Sequence, residues 1–202
     1  KDQYAQLLVE MKANPQFNRA LEEMTIVSAA KIGREVLRPE QDLLAFFTGE
    51  QQLFAFLIKA GAETVQARVI PRTVALNTAL ANWNTAIYQR QNATYVQYGH
   101  QLFVTLVAPF FPRGLPPDLV IIPDGELGAL PFGALLTAPV DASAQNDCRH
   151  HPYLIRQVAL CQWFSASSFV ATQRQTLPAA WQQQLLAYAP AFRPLPVTPL
   201  PA

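Results

Sequence analysis

The chain has 202 residues, which is enough for one domain with a sizeable core and too few for two full domains. Half of its residues are hydrophobic and 14% are charged, compared with about 25% in an average soluble domain. The net charge is +1 at pH 7, so no basic surface for nucleic acid is expected. No stretch approaches the roughly 18 apolar residues of a membrane span, so no membrane partner is expected either.

Cysteine usage and the first residues bear on location. Two cysteines do not make a disulfide framework, which favours a reducing compartment. The first residues carry no secretory signal pattern, and a start at Lys1 rather than Met indicates a piece of a longer protein. We therefore predict a cytoplasmic location.

Residues 1–37 are predicted to form a short helical segment. Apolar side chains recur there at intervals of three and four residues, on either side of a break at Asn14-Pro15; they are Tyr4, Leu7, Leu8, Met11, Phe17, Leu21 and Met24. This spacing places them on one face of each helix. We interpret residues 1–37 as the end of a helical repeat array or as a linker.

Short apolar strands follow the helical segment. Segments 43–47, 53–58 and 64–70 are separated by glycine-containing turns, which predicts an antiparallel three-strand meander. In the third segment, Val65, Ala67 and Val69 are expected to face inward and Gln66 and Arg68 outward, as in a sheet with one wet face or at an edge. The middle segment is apolar on both sides and is expected to be buried.

The remaining elements predict the α/β class. Helices are expected over 73–91 and 94–110, where apolar residues follow one stripe, and a strand covered on both faces over 119–122. Further strands are predicted at 157–164 and 183–189, with Ser165 capping a helix that ends near residue 173. Residues 38–189 would then form the domain, and the proline-rich residues 190–202 an extended tail.

Cys161 is the first candidate for catalytic chemistry. It follows an apolar strand, and His100 or His150 could act as its base. The strand continues past Cys161, however, and no glycine-rich turn follows it to supply an oxyanion hole. A small hydrophobic role in the core explains this cysteine better.

Two further groups of polar residues are better explained by local structure than by chemistry. Cys148, His150 and His151 could coordinate a metal, but no second pair of ligands lies at a suitable spacing, so a polar surface loop over 138–152 is favoured. The G-x-S-x-G pattern of hydrolases is absent around the serines Ser165, Ser167 and Ser168. Helix capping therefore explains Ser165 better than a nucleophilic role.

The segment after the buried strand, Asp124-Gly125-Glu126, lies where α/β proteins often place functional groups. A tight turn is the favoured interpretation, with Gly125 in an unusual backbone conformation and Asp124 accepting hydrogen bonds from local amides. No glycine-rich phosphate loop is present among the eight glycines.

The order of these segments resembles a CHAT domain, a caspase-like family associated with tetratricopeptide repeats. The most specific part is residues 122–135, IPDGELGALPFGAL; the hairpin of 43–58, Tyr153-Leu154-Ile155, Ser165-Ala166-Ser167 and residues 185–190 also fall where similar family segments fall. The resemblance covers residues 37–192. It implies a caspase-like mixed sheet related to clan CD cysteine peptidases, often preceded by helical repeats.

The resemblance also implies where catalysis would take place. In the family, the catalytic histidine and cysteine end two strands beyond the segment that resembles residues 185–190, in His-Gly and Ala-Cys contexts. No position here matches either motif, so no catalytic, cofactor-binding or metal-binding residue is assigned. We therefore expect a non-catalytic amino-terminal portion that supports or regulates a peptidase half outside this chain and is inactive alone.

A second hypothesis comes from a different class of protein. The chain could be a protein-interaction module, or scaffold, of a repeat-containing protein without peptidase activity. In either case the expected partners are proteins or peptides, including the helical repeats and other half of the same parent. An incomplete sheet edge would also allow a homodimer.

Overall fold

The computed structural model describes residues 27–174, which form an α/β fold around a five-stranded mixed sheet. The strands are β1 (Gln41–Thr48), β2 (Gln52–Lys59), β3 (Val65–Pro71), β4 (Asp118–Ile122) and β5 (Ala159–Gln162). Their order across the sheet is β3-β2-β1-β4-β5. The pairs β1–β2 and β2–β3 are antiparallel, whereas β1–β4 and β4–β5 are parallel. The predicted α/β class and three-strand meander are confirmed.

Four helices accompany the sheet within these residues. They are α1 (Ala29–Lys31), which a π-helical turn (Ile32–Val36) extends, α2 (Val74–Gln89), α3 (Asn92–Leu106) and α4 (Ala166–Arg174). Side-chain oxygens of Ser28 and Thr73 accept backbone N–H bonds at the starts of α1 and α2. Helices α2 and α3 connect the meander to β4, as the apolar stripes predict.

The two sides of the sheet are covered differently. We call the side packed against α2 and α3 the helical face and the other side the opposite face. On the helical face, alternate strand residues such as Leu44, Leu57 and Ile121 are fully buried with Trp83 of α2. On the opposite face, a smaller cluster joins Leu43 and other strand residues to side chains from α4 and the π-helical turn.

The prediction for the third strand is half wrong. Strand β3 is an edge, as its alternation suggested, but Val65, Ala67 and Val69 do not face the core. The register places Arg68 opposite Ala55, so Arg68 points to the helical face, where its guanidinium lies 5.7 Å from the centre of the Phe110 ring. Alternation alone defines two sides of a strand and does not say which side is covered.

The middle strand is buried less evenly than expected. Leu53, Ala55 and Leu57 of β2 are fully buried on the helical face, whereas Phe54 and Phe56 on the opposite face are half-buried. The predictions for residues 1–26 and 175–202, including the strand at 183–189 and the proline-rich tail, lie outside the described residues. Within residues 27–174, no helix combines the length and apolarity needed to cross a membrane.

Candidate functional site

The turn after β4 is bound to the end of β1 and to the residue that follows β3. The Thr48 backbone N–H donates to the Asp124 carboxylate at 2.7 Å, and the Thr48 hydroxyl donates to the Asp124 carbonyl at 2.9 Å. Gly125 has a φ of 56°, and a Cβ there would lie 3.0 Å from the Thr48 hydroxyl oxygen. Glu126 pairs with Arg72 at 2.7 Å. Both carboxylates therefore hold the β4 turn against the meander, and Asp124 bonds a distant amide rather than the local ones expected.

The structure does not bring Cys161 and His100 together. Cys161 belongs to the opposite-face cluster, whereas α3 carries His100 on the helical side, where its Nδ1 lies 3.0 Å from the Leu136 carbonyl oxygen. Burial raises the pKa of the Cys161 thiol, and the nearby Asp118 carboxylate raises it further. A catalytic cysteine needs the reverse shift, so this environment suits a core cysteine.

The loop that carries Cys148 and His150 is exposed, as predicted. The Nδ1 of His150 lies 2.7 Å from Asp147, and this hydrogen bond lowers the pKa of the Asp147 carboxyl. In the described part of the chain, no three side chains among His, Cys, Asp and Glu come close enough together to hold a metal ion. The loop geometry is explained by local hydrogen bonds.

His151 departs from the predicted polar surface loop because only 2% of it is exposed. Its ring lies between Tyr95 and Tyr153, with centroid distances of 6.5 and 5.7 Å. The Nε2 of His151 lies 3.2 Å from the Ala144 carbonyl oxygen, whereas Nδ1 has no hydrogen-bond partner among residues 27–174. The ring therefore anchors the exposed loop to the body of the domain.

The serines after β5 form a helix cap. The Ser165 side chain accepts a hydrogen bond from the Ser168 backbone N–H at 3.1 Å, and the Ser168 hydroxyl donates to the Ser165 carbonyl at 2.9 Å. This arrangement satisfies backbone groups at the start of α4. The predicted capping role of Ser165 is confirmed.

A candidate binding site is an apolar groove of about 700 Å³ beside β5, which we call the edge groove. Its walls come from five parts of the chain, namely α2, α3, the segment after β4, the residues leading into β5, and β5 itself. The lining residues are Ile87, Tyr95, Pro131, Gly133, Ala134, Tyr153, Ile155, Leu160 and Gln162. No part of this groove was predicted from the sequence.

Tyr95, Tyr153 and Gln162 carry the polar side-chain groups of the edge groove. The Tyr95 hydroxyl donates to the Ala134 carbonyl, which ties α3 to the segment after β4. Burial raises the pKa of Tyr95, and burial also raises the pKa of Tyr153. Both phenols therefore stay neutral at physiological pH. A neutral, mostly apolar groove suits an apolar side chain better than a charged ligand.

The edge groove is continuous with the outer edge of the sheet. The N–H groups of Ala159 and Trp163 donate to carbonyls preceding β4 and within it, so the intervening peptide groups of Leu160 and Gln162 point to the other side. No strand among residues 27–174 pairs with that side of β5. Because the side chains of Leu160 and Gln162 also line the groove, a strand added to β5 would lie along it.

Local sequence patterns did not indicate the edge groove, because they predict core positions for apolar residues that are in fact exposed there. Ile87 continues the apolar spacing of α2, which predicts a core position, yet it is 37% exposed near the end of that helix. Ile155 is 60% exposed despite its apolar side chain. The available signal was the density of apolar residues and prolines in 130–135 and 152–155. Leu130, Phe132, Leu135 and Leu154 enter the core, whereas Pro131, Gly133, Ala134, Tyr153 and Ile155 line the groove.

Comparison with known proteins adds no family assignment. No protein-family model matches the chain, and no curated protein matches it either. The resemblance to CHAT domains thus depends on the residues quoted above, and the α/β fold depends on the sheet and helices of residues 27–174.

Proposed function

We propose that this chain is the amino-terminal, non-catalytic part of a CHAT-like, caspase-related domain, and that it supports or regulates a cysteine-peptidase half carried by another segment. The proposal is supported by the segment IPDGELGALPFGAL and by the mixed sheet in which that segment follows a buried parallel strand. The proposal includes a caspase-like arrangement of this sheet. The peptidase half would supply the histidine and cysteine.

The observation that carries this proposal is the outer edge of β5 together with the edge groove. Parallel strands normally lie inside a sheet with both faces covered. Strand β5 is parallel to β4, yet among residues 27–174 its other edge is unpaired. A strand from the peptidase half would hydrogen-bond to the peptide groups of Leu160 and Gln162 and place alternate side chains in the groove. This is the geometry of β-strand addition.

The first test concerns catalysis by this chain alone. The purified chain is incubated with fluorogenic peptides carrying Arg, Lys or Asp before the scissile bond. We expect no hydrolysis, because the pKa of Cys161 is raised and His100 lies on the other side of the sheet. Hydrolysis that disappears in Cys161→Ala would overturn the proposal.

The second test concerns docking of the peptidase half. In a polypeptide carrying both halves, we expect Ile155→Asp to lower peptidase activity at least tenfold, because it places a carboxylate at the groove wall. The matched control is Val104→Asp, which adds the same charge at a side chain that is 48% exposed on α3 and outside the groove lining. Equal activities in the two variants would contradict docking at the edge groove.

The alternative function is a protein-interaction module whose parent has no peptidase activity. The same groove favours it, because its apolar lining accepts an extended peptide without any catalytic step. The two functions differ in the parent polypeptide: a strand ending in His-Gly and a later strand ending in Ala-Cys are required for the peptidase. If the parent polypeptide lacks these two strands, the function is that of a protein-interaction module.

A further inference from the structure

Strand β3 ends the sheet on the side away from the edge groove, and its outer edge is unpaired within residues 27–174. Its register with β2 is continuous from Val65 to Pro71, so no bulge interrupts the strand. The only proline of β3 is its last residue, and the strand contains no lysine. Bulges, lysines and internal prolines are the usual features that keep two sheet edges from joining. The outer edge of β3 is therefore a template for a further strand.

The peptide groups on this outer edge follow from the pairing of β3 with β2. The Arg72 N–H donates to the Gln51 carbonyl at 2.9 Å, in the register that joins the two strands. Hydrogen-bonded and non-hydrogen-bonded pairs alternate along an antiparallel ladder. The alternate residues Val65, Ala67 and Val69 therefore direct their N–H and C=O groups outward.

These outward groups are complementary to those of a second copy of the chain. When two β3 strands run antiparallel about a two-fold axis at Ala67, this residue faces its own counterpart, and Val65 faces Val69 of the other copy. Each of these pairs exchanges two hydrogen bonds, so every outward peptide group finds a partner. An axis at Gln66 would instead place Val69 opposite Glu63, which precedes the strand.

The polar side chains of β3 favour the same axis. With the axis at Ala67, Gln66 of each copy lies opposite Arg68 of the other, where the amide oxygen can accept a hydrogen bond from the guanidinium. An axis at Arg68 would set two guanidinium groups opposite each other, which is destabilising. It would also place Val65 opposite Pro71, which has no N–H to donate.

The faces of the two sheets also match across this edge. A two-fold axis perpendicular to the sheet keeps the helical faces of both copies on the same side. On the opposite face, Val65 and Val69 are 38% and 54% exposed, and the pairing sets each against the other. The Arg68 guanidinium lies 5.7 Å from the centre of the Phe110 ring, so it rests over the helical face. The apolar and polar sides of β3 therefore each meet a like side.

We propose that two copies of this chain associate through their β3 edges, antiparallel and centred on Ala67, so that one sheet runs through both copies. The edge groove lies at the other end of the sheet, beside β5. Each copy therefore keeps its groove free, and the dimer presents one groove at each end. This interface does not depend on the proposed function.

Disulfide formation between copies tests the register. The background is the full chain with Cys148→Ala, and mass spectrometry of peptides identifies each link and separates any that involve Cys161. Ala67→Cys should form a symmetric disulfide under mild oxidation, because hydrogen-bonded pairs hold Cα atoms about 5.5 Å apart. Val65→Cys and Val69→Cys should each form about tenfold less symmetric disulfide, since their counterparts lie beyond the roughly 7 Å limit. A mixture of these two variants should link position 65 to position 69.

Sedimentation velocity over a range of chain concentrations tests the association itself. The unaltered chain should shift toward twice the monomer mass as its concentration rises. Ala67→Pro removes an outward N–H and no bond to β2, so it should weaken association about tenfold and leave the fold intact in urea denaturation. Ala67→Ser keeps that N–H and is the matched control, which should associate like the unaltered chain. Val69→Pro removes another outward N–H and replaces Ala67→Pro if that variant does not fold.

Three results would overturn the proposal. One is a monomer at every concentration, which is also the outcome if another segment of the same chain occupies the β3 edge. Another is symmetric disulfide at Val65→Cys or Val69→Cys in the same yield as at Ala67→Cys, because the register would then differ. The last is equal association of folded Ala67→Pro and Ala67→Ser, because the β3 edge would then lie outside the interface.

Discussion

The two faces of the sheet are built from the same strands but are covered to very different extents. On the helical face, Leu44 is fully buried between strands and helices; three residues later in β1, on the opposite face, Phe47 is 58% exposed. The difference does not come from the residues themselves, since both are large and apolar. It comes from the cover that α2 and α3 supply to one side within residues 27–174. Large apolar side chains on the less covered side therefore indicate a contact surface.

The largest effect is expected at the centre of the helical face. Leu44→Ala removes a side chain that is fully buried among β2, β4 and the helices, so it should lower the free energy of unfolding by about 2–5 kcal/mol. Denaturation in urea measures this. Val74→Ala, at an 83% exposed position, serves as the control and should stay within about 0.5 kcal/mol of the unaltered chain. A loss under 1 kcal/mol at Leu44 would mean that the helical face is not the main core.

A smaller effect is expected where the amino-terminal turn meets the meander. A Cβ on Gly33 would lie 2.5 Å from the Ala62 carbonyl oxygen and 3.0 Å from that of Lys59. Gly33→Ala should therefore cost about 1–3 kcal/mol in unfolding free energy, because backbone atoms must move apart. Gly128→Ala is the matched control, since its added Cβ meets no atom within 4 Å.

The smallest effect is expected at Asp42, on the helical face at the start of β1. Burial raises the pKa of its carboxyl, although Lys59 and the Ala60 N–H oppose the shift. The charged form is therefore penalised in the fold above the raised pKa, and that penalty disappears as the pH falls through it toward the ordinary value. Asp42→Asn should be slightly more stable than the unaltered chain at pH 7, and this advantage should vanish at low pH. An advantage that grows on acidification would contradict this environment.

The candidate site depends on contacts that local patterns do not encode. The walls of the edge groove come from residues as far apart in the chain as Ile87 and Gln162, so no single segment carries its signature. His151 illustrates the same limit, because its polar neighbours predicted exposure whereas its ring lies between two tyrosines. Cys161 and His100 could be paired in a sequence argument, but their positions on different sides of the sheet separate them.

The sequence by itself determined the α/β class, the meander, the two consecutive helices and the cap at Ser165. These depend on periodicity, turn residues and capping, which act between residues close in the chain. The tertiary structure alone decided which side of β3 is covered, where β5 leaves an edge for pairing, and how the edge groove forms. A period of two residues is symmetric between the sides of a strand, so only packing between distant elements can distinguish them.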